Sequence, residues 1–139
     1  ADIVLDCSDN FQTRFAANTA CFATGTPLVS GAAIRAEGQV TAFSGRSGGP
    51  CYQCLFPGTG EVEERCSQNG VLAPLVGIIG SVQATEALKI LAGFGEPLYG
   101  RLLLLDAMDM RWRELHLPPD PNCPICATPS VPTTQPPLP

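Results

Sequence analysis

The sequence has a single lysine, Lys89, and lacks a glycine-rich nucleotide loop. Gly58 and Gly60 have no third glycine at the spacing of a dinucleotide-binding loop, and no predicted strand precedes them. A Walker-type phosphate loop needs a lysine directly after a glycine, whereas Lys89 lies in the middle of a predicted helix. The sequence therefore contains neither kind of nucleotide loop.

Positive charge is scarce in general. The sequence carries 8 Lys and Arg against 13 Asp and Glu, a formal net charge of −5. This balance argues against nucleic-acid binding, and no run of Lys or Arg marks a membrane surface. The longest apolar stretch, residues 71–92, contains Gln83, Glu86 and Lys89, so it predicts a buried helix rather than a membrane span. We expect neither a nucleic acid nor a membrane as partner.

No signal peptide is recognisable, and the seven cysteines are an odd number. Both observations favour reduced thiols and a cytoplasmic location. The length of 139 residues suits one domain, or half of a larger one.

Four of the cysteines form two C-x-x-C knuckles, one at Cys51 and Cys54 and one at Cys123 and Cys126. Two residues between cysteines allow both thiolates to reach one ion, and two such knuckles supply the four sulfurs of a closed structural zinc site. Two disulfides or a thioredoxin-like redox pair are the alternatives. The matched knuckles favour zinc, and a site with four sulfurs has no open position for catalysis.

The apolar pattern predicts an α/β fold. Residues 3–5 and 27–30 suit buried parallel strands on either side of a helix that is capped by Ser8 or Asp9 and ends near Gly25. A turn at residues 37–38 leads into an antiparallel strand, residues 39–43. A long helix begins near Pro74 and ends at Gly93, and strands at 102–105 and 110–117 follow.

Two carboxylates follow the first predicted strand, where ligands bind in open α/β sheets. They are Asp6 and Asp9, and a carboxylate at this position can hold Mg²⁺ on a polyphosphate. Helix capping is the alternative explanation for Asp9.

The other candidates are weaker. Cys66 lies on a predicted exposed loop, where Arg65 favours the thiolate and nearby glutamates oppose it, so it is either reactive or a bystander. Cys7 and Cys21 fall on elements that should be buried. His116 has no cysteine or serine partner at a suggestive spacing and is interpreted as an ordinary surface or core residue.

Six short segments occur together in the spacing of one known family. They are Leu5-Asp6-Cys7-Ser8-Asp9-Asn10, Pro27-Leu28-Val29-Ser30-Gly31-Ala32-Ala33, Glu37-Gly38-Gln39-Val40, Pro50-Cys51-Tyr52-Gln53-Cys54, Gly70-Val71-Leu72-Ala73-Pro74 with Gly77 and Gly80, and Cys123-Pro124-Ile125-Cys126. Over about residues 2–127 the sequence resembles the MoeB/ThiF family (HesA/MoeB/ThiF). These are ATP-dependent adenylyltransferases related to the ubiquitin-activating enzymes.

The resemblance implies a Rossmann-like fold and activation of the C-terminal glycine of a ubiquitin-like sulfur carrier (MoaD/ThiS-like), for molybdopterin or thiamine biosynthesis. It implies that Asp9 contacts Mg²⁺ and nucleotide, that Asn10 is its neighbour in the site, and that the four knuckle cysteines bind zinc. Cys66 corresponds to a crossover-loop cysteine that links covalently to the carrier in some members. A homodimer, and a carrier-docking side formed by the sheet from Val40 onward, are also implied.

The family's N-terminal half, with its ATP loop, has no counterpart here. Residues 1–127 are therefore expected to be the C-terminal half of the adenylyltransferase domain, and residues 128–139 a proline-rich disordered tail or linker. This chain alone is not expected to make adenylate. The alternative is a non-catalytic, zinc-stabilised module that docks a ubiquitin-like partner.

Overall fold

The computed structural model describes residues 1–57 and 70–127 of the chain. Within these residues the chain forms five strands and three helices. In order they are β1 (Val4–Asp6), α1 (Phe11–Thr24), β2 (Leu28–Ile34), β3 (Glu37–Phe43), α2 (Tyr52–Leu55), α3 (Ala73–Ala92), β4 (Arg101–Asp106) and β5 (Arg111–His116). Cys66, with most of the exposed loop predicted around it, and the tail at 128–139 lie outside the described residues.

The first unit is strand, helix, strand, as predicted. β1 pairs in parallel with β2, with Val4 opposite Leu28, and α1 makes the connection. The predicted N-cap of α1 was wrong by one or two positions, because the side chain of Asn10 accepts from the backbone N–H of Thr13 over 2.8 Å. The helix ends at Gly25, whose φ of 67° is the left-handed conformation that glycine adopts easily.

β2 and β3 form an antiparallel hairpin, and here one prediction was wrong. The predicted turn residues Glu37 and Gly38 are the first two residues of β3, and the chain reverses at Arg35, which has a positive φ of 52°. A Cβ on Gly38 would lie 2.6 Å from Cδ1 of Ile79, so this glycine lets a helix approach the sheet.

β4 pairs antiparallel with β3, and β5 antiparallel with β4. The sheet order is β1-β2-β3-β4-β5, so β2 has a parallel neighbour on one side and an antiparallel neighbour on the other. The predicted α/β fold, with parallel strands continuing into an antiparallel sheet, is confirmed.

α3 packs across one face of this sheet. Leu75 and Ile79 are buried against Val29, Val40 and Leu105. Burying each such side chain stabilises the fold by roughly 1.5–3 kcal/mol. α3 is also the one helix of the described residues that is long and apolar enough to cross a membrane, judged by length and composition. One face of α3 packs on β2 and β3, and its buried residues are Leu75, Ile79, Gln83, Glu86 and Ala87.

The opposite face carries α1 and α2. Tyr52 of α2 is 1% exposed, and its ring packs edge-on against Phe15 of α1 at 5.4 Å and against Phe43 of β3 at 6.3 Å. This aromatic cluster joins the helix that follows β1 to the first cysteine knuckle.

Candidate metal centre and strand-end cleft

The fold brings the four knuckle cysteines together. The sulfurs of Cys51 and Cys123 are 3.6 Å apart, those of Cys54 and Cys126 are 3.3 Å apart, and all four lie within 4.8 Å of one another. A tetrahedron with zinc–sulfur bonds of about 2.3 Å has sulfurs about 3.8 Å apart. The four cysteines could therefore hold a metal ion, and thiolate ligands suit zinc or another soft metal.

Backbone hydrogen bonds within and between the two knuckle segments position the four sulfurs. The N–H of Cys54 donates to the carbonyl of Cys51, and the N–H of Cys123 donates to the carbonyl of Asp120, each over 3.0 Å. The backbone N–H of Asp120 points at the sulfur of Cys54 (3.3 Å), and that of Cys126 at the sulfur of Cys123 (3.5 Å). Such donors stabilise thiolates, the form in which cysteine binds a metal.

The thiol pKa values differ within the cluster. Burial raises the pKa of Cys51 and of Cys126, and the neighbouring sulfurs add to the effect at Cys126. Burial also opposes ionisation of Cys123, but the backbone N–H groups of Cys126 and Ile125 outweigh it and lower its pKa to about 7. Four crowded sulfurs, three of them on buried cysteines, cannot all ionise without a cation between them, which fits a metal-binding cluster.

A second site lies at the carboxyl ends of β1 and β2. Two adjoining depressions of about 300 Å³ and 190 Å³ share Asp9, Arg14, Ala32 and Ala33 in their walls, and we call them together the strand-end cleft. Phe11, Glu37, Gln39, Phe56 and Leu104 line the larger part, and Cys7, Ser8, Val76 and Gln83 are among the residues of the smaller part. Among the described residues that line the cleft, Arg14 is the one with a positive charge.

The two candidate carboxylates, Asp6 and Asp9, lie in different environments. Asp6 is 5% exposed, and its Oδ1 accepts hydrogen bonds from the backbone N–H (2.9 Å) and the hydroxyl (2.6 Å) of Ser8. Its Oδ2 is buried with no hydrogen-bond partner among the described residues. Asp9 is exposed and lines the cleft, beside Asn10. Of these two carboxylates only Asp9 is exposed, since Asp6 faces the interior.

The remaining candidates are distributed over the fold. Cys21 is buried, as predicted, but Cys7 is exposed at the end of β1, so its expected burial was wrong. His116 is exposed at the end of β5. Cys66 lies outside the described residues, so its role stays a prediction.

Sequence reasoning missed Arg14 and Gln83. Arg14 lines both parts of the cleft, and Gln83 is a buried polar residue of α3 beside it. In the sequence, Gln83 stands out only as an uncharged polar residue inside an apolar helix. Nothing in the sequence marks Arg14, because the carbonyl oxygen to which it donates lies in a loop.

The fold is that of a known group of solved structures. The crystal structure of Escherichia coli MccB with MccA-N7isoASN matches with a TM-score of 0.75 at 16% identity, covering 91% of this chain and 41% of that one. This likeness establishes the fold alone.

The family follows from the sequence match. The ThiF family model matches residues 1–125, and the chain belongs to the ThiF family. The molybdopterin-synthase adenylyltransferase of Escherichia coli K12 is 51% identical over 125 residues, covering 90% of this chain and 50% of the relative. The SAMP-activating enzyme E1 of Haloferax volcanii is 47% identical over 128 residues, covering 91% and 47%. The chain thus spans about half the length of these relatives.

Proposed function

We propose that this chain is part of an ATP-dependent adenylyltransferase that activates a ubiquitin-like sulfur carrier for molybdopterin or thiamine biosynthesis. The observation that carries the proposal is the 51% identity to a molybdopterin-synthase adenylyltransferase over 90% of the chain. Residues 1–127 are the C-terminal half of the adenylyltransferase domain in this proposal, and residues 128–139 are a tail or linker.

The reaction class is transfer of an adenylyl group. The C-terminal glycine carboxylate of the carrier attacks the α-phosphate of ATP, the bond between the α-phosphate and its bridging oxygen breaks, and pyrophosphate leaves with the electron pair. The product is an acyl adenylate, whose carbonyl carbon is then open to attack by a sulfur donor.

We assign the binding of Mg²⁺ and nucleotide to Asp9 in the strand-end cleft. Its carboxylate is exposed, it lines both parts of the cleft, and capping of α1 is done by Asn10 instead. A hard cation such as Mg²⁺ takes carboxylate oxygens and would reduce the negative charge on the polyphosphate. Asn10, whose amide nitrogen lies 3.5 Å from Oδ1 of Asp9, helps to orient that carboxylate.

We assign a structural zinc ion to Cys51, Cys54, Cys123 and Cys126. A four-thiolate site has no position for water, so its contribution is stability, on the order of 10 kcal/mol. The ion would tie α2 to the segment that follows β5.

The remaining assignments depend on the whole protein. The carrier docks on the β3–β5 side of the sheet, where Trp112 is 43% and Leu115 44% exposed. Cys66 is a candidate for a covalent link to the carrier. We also propose a homodimer and a cytoplasmic location.

The test is pyrophosphate release by the full-length gene product with MgATP and a carrier ending in Gly-Gly. Asp9→Asn keeps the size of the side chain and removes its charge, so release should fall about 10²-fold or more. Asp109→Asn, at an exposed turn distant in sequence, is the matched control. Undiminished release by Asp9→Asn would remove Asp9 from the mechanism.

A second candidate function is a non-catalytic module that docks a ubiquitin-like partner. Arg14 is the one cation lining the cleft among the described residues, which is little positive charge for a triphosphate. Calorimetric titration of this chain with the carrier distinguishes the two functions. Carrier binding that ATP does not affect, with no pyrophosphate release by the full-length gene product, supports the module.

A further inference from the structure

Arg14 connects α1 to the loop that carries Asp9. It lies in the first turn of α1, and its Nη2 donates to the carbonyl oxygen of Ser8, six positions earlier, over 2.7 Å. A charged donor makes a stronger hydrogen bond than a neutral one, and this bond is partly buried. Ser8, which precedes Asp9, is thus hydrogen-bonded to α1, the helix that follows Asp9.

The first cysteine knuckle also contacts α1. The backbone N–H of Tyr52, next to Cys51, donates to Oδ1 of the buried Asn18 in α1 over 2.8 Å. The Tyr52 ring packs against Phe15, one residue after Arg14.

We propose that Arg14 is a positioning residue for Asp9. It holds the Ser8 carbonyl and thereby fixes the loop of residues 7–10 so that the Asp9 carboxylate faces the strand-end cleft. The cysteine knuckle holds α1, and with it Arg14, through Tyr52 and Asn18. This inference rests on the function proposed for Asp9, and it differs from a role in which Arg14 itself touches an anionic ligand.

The loop can be tested on this chain without any ligand. In Arg14→Gln, amide hydrogen exchange of residues 7–11 should be at least tenfold faster than in the wild type, while exchange in β3 and β4 stays the same. Arg14→Lys, which keeps a charged donor, should restore most of the protection. Gln12→Ala, an exposed substitution in the same helix turn, is the control and should exchange like the wild type. Unchanged exchange in Arg14→Gln would overturn the inference.

The consequence for Asp9 can be tested in the full-length gene product. Arg14→Gln should raise the Mg²⁺ concentration for half-maximal pyrophosphate release about tenfold and leave the KM for the carrier unchanged, and Arg14→Lys should recover part of the loss. A higher KM for ATP at saturating Mg²⁺, with normal amide exchange, would instead indicate direct ligand contact and overturn the positioning role. Absence of pyrophosphate release in the wild type would overturn the proposed function, while the exchange experiment would still decide whether Arg14 fixes the loop.

Discussion

The side-chain amide of Gln83 donates to the carbonyl oxygen of Asp6 over 2.8 Å, across 77 positions of sequence. The same nitrogen lies 3.3 Å from the carbonyl oxygen of Val29 in β2. One buried side chain of α3 therefore satisfies backbone acceptors of both parallel strands next to the strand-end cleft. Unpaired, those carbonyls would cost free energy in the interior.

Gln83→Met should lower the free energy of unfolding by about 1–3 kcal/mol, because it keeps the side-chain volume and removes the donor. Ser81→Ala, on the exposed side of the same helix, is the control and should change stability by less than about 0.5 kcal/mol. Urea unfolding of the two variants checks the prediction. Equal midpoints would mean that the amide contributes nothing beyond its volume.

Gly31 makes room for this side chain. A Cβ at position 31 would lie 2.3 Å from Cδ of Gln83, so Gly31→Ala should displace the amide and destabilise the fold by about 1–3 kcal/mol. In the double variant with Gln83→Ala the clash is absent. The double variant should therefore be less destabilised than the sum of the two single variants, by about 0.5–3 kcal/mol. Additive effects in this double-mutant cycle would contradict the proposed steric coupling.

Metal removal should destabilise the chain. We expect the wild type to contain one zinc ion per chain and a chelator to lower its melting temperature, because binding free energy at such a site is folding free energy. Cys54→Ser should lose the metal and the chelator effect together, whereas Cys7→Ser, an exposed cysteine outside the cluster, should keep both. Elemental analysis and thermal unfolding measure the two properties. Full metal content in Cys54→Ser would disprove its assignment as a ligand.

Stability should also fall in alkali because of Cys21. Burial raises the pKa of this thiol, and the Asp6 carboxylate adds to the rise. Because the pKa is higher in the folded state, the thiol contributes fully to folding stability below its unfolded-state pKa of about 8.5. This contribution is lost as pH rises through the folded-state pKa. Under reducing conditions the wild type should lose stability more steeply than Cys21→Ala above about pH 8.5, and parallel curves would contradict this prediction.

The elements that could be predicted from sequence have local signals. Pro74 and Gly93 mark the ends of the long helix within a residue or two, and the two C-x-x-C spacings predict a cluster that the fold does bring together. Glu37 and Gly38 were misassigned as a turn because a glycine that admits Ile79 cannot be told, in sequence, from one that reverses the chain. The short helix α2 has too few residues for an apolar period.

The cleft was only partly predictable. Asp9 follows a recognisable strand, but the burial of Asp6 depends on hydrogen bonds from Ser8, and that of Gln83 on carbonyls of two distant strands. Such pairings are set by how α3 lies on the sheet, and no spacing along the chain encodes them.

The cysteine cluster joins knuckles that are 72 positions apart, with α3, β4 and β5 between them. At a synthesis rate of about 5–20 residues per second, the second knuckle leaves the ribosome roughly 4–14 s after the first. For that interval Cys51 and Cys54 have only each other, and the sheet must gain its last two strands without help from the ion. Metal capture would then follow formation of the sheet, and it would distinguish chains that contain both knuckles from chains that contain only the first.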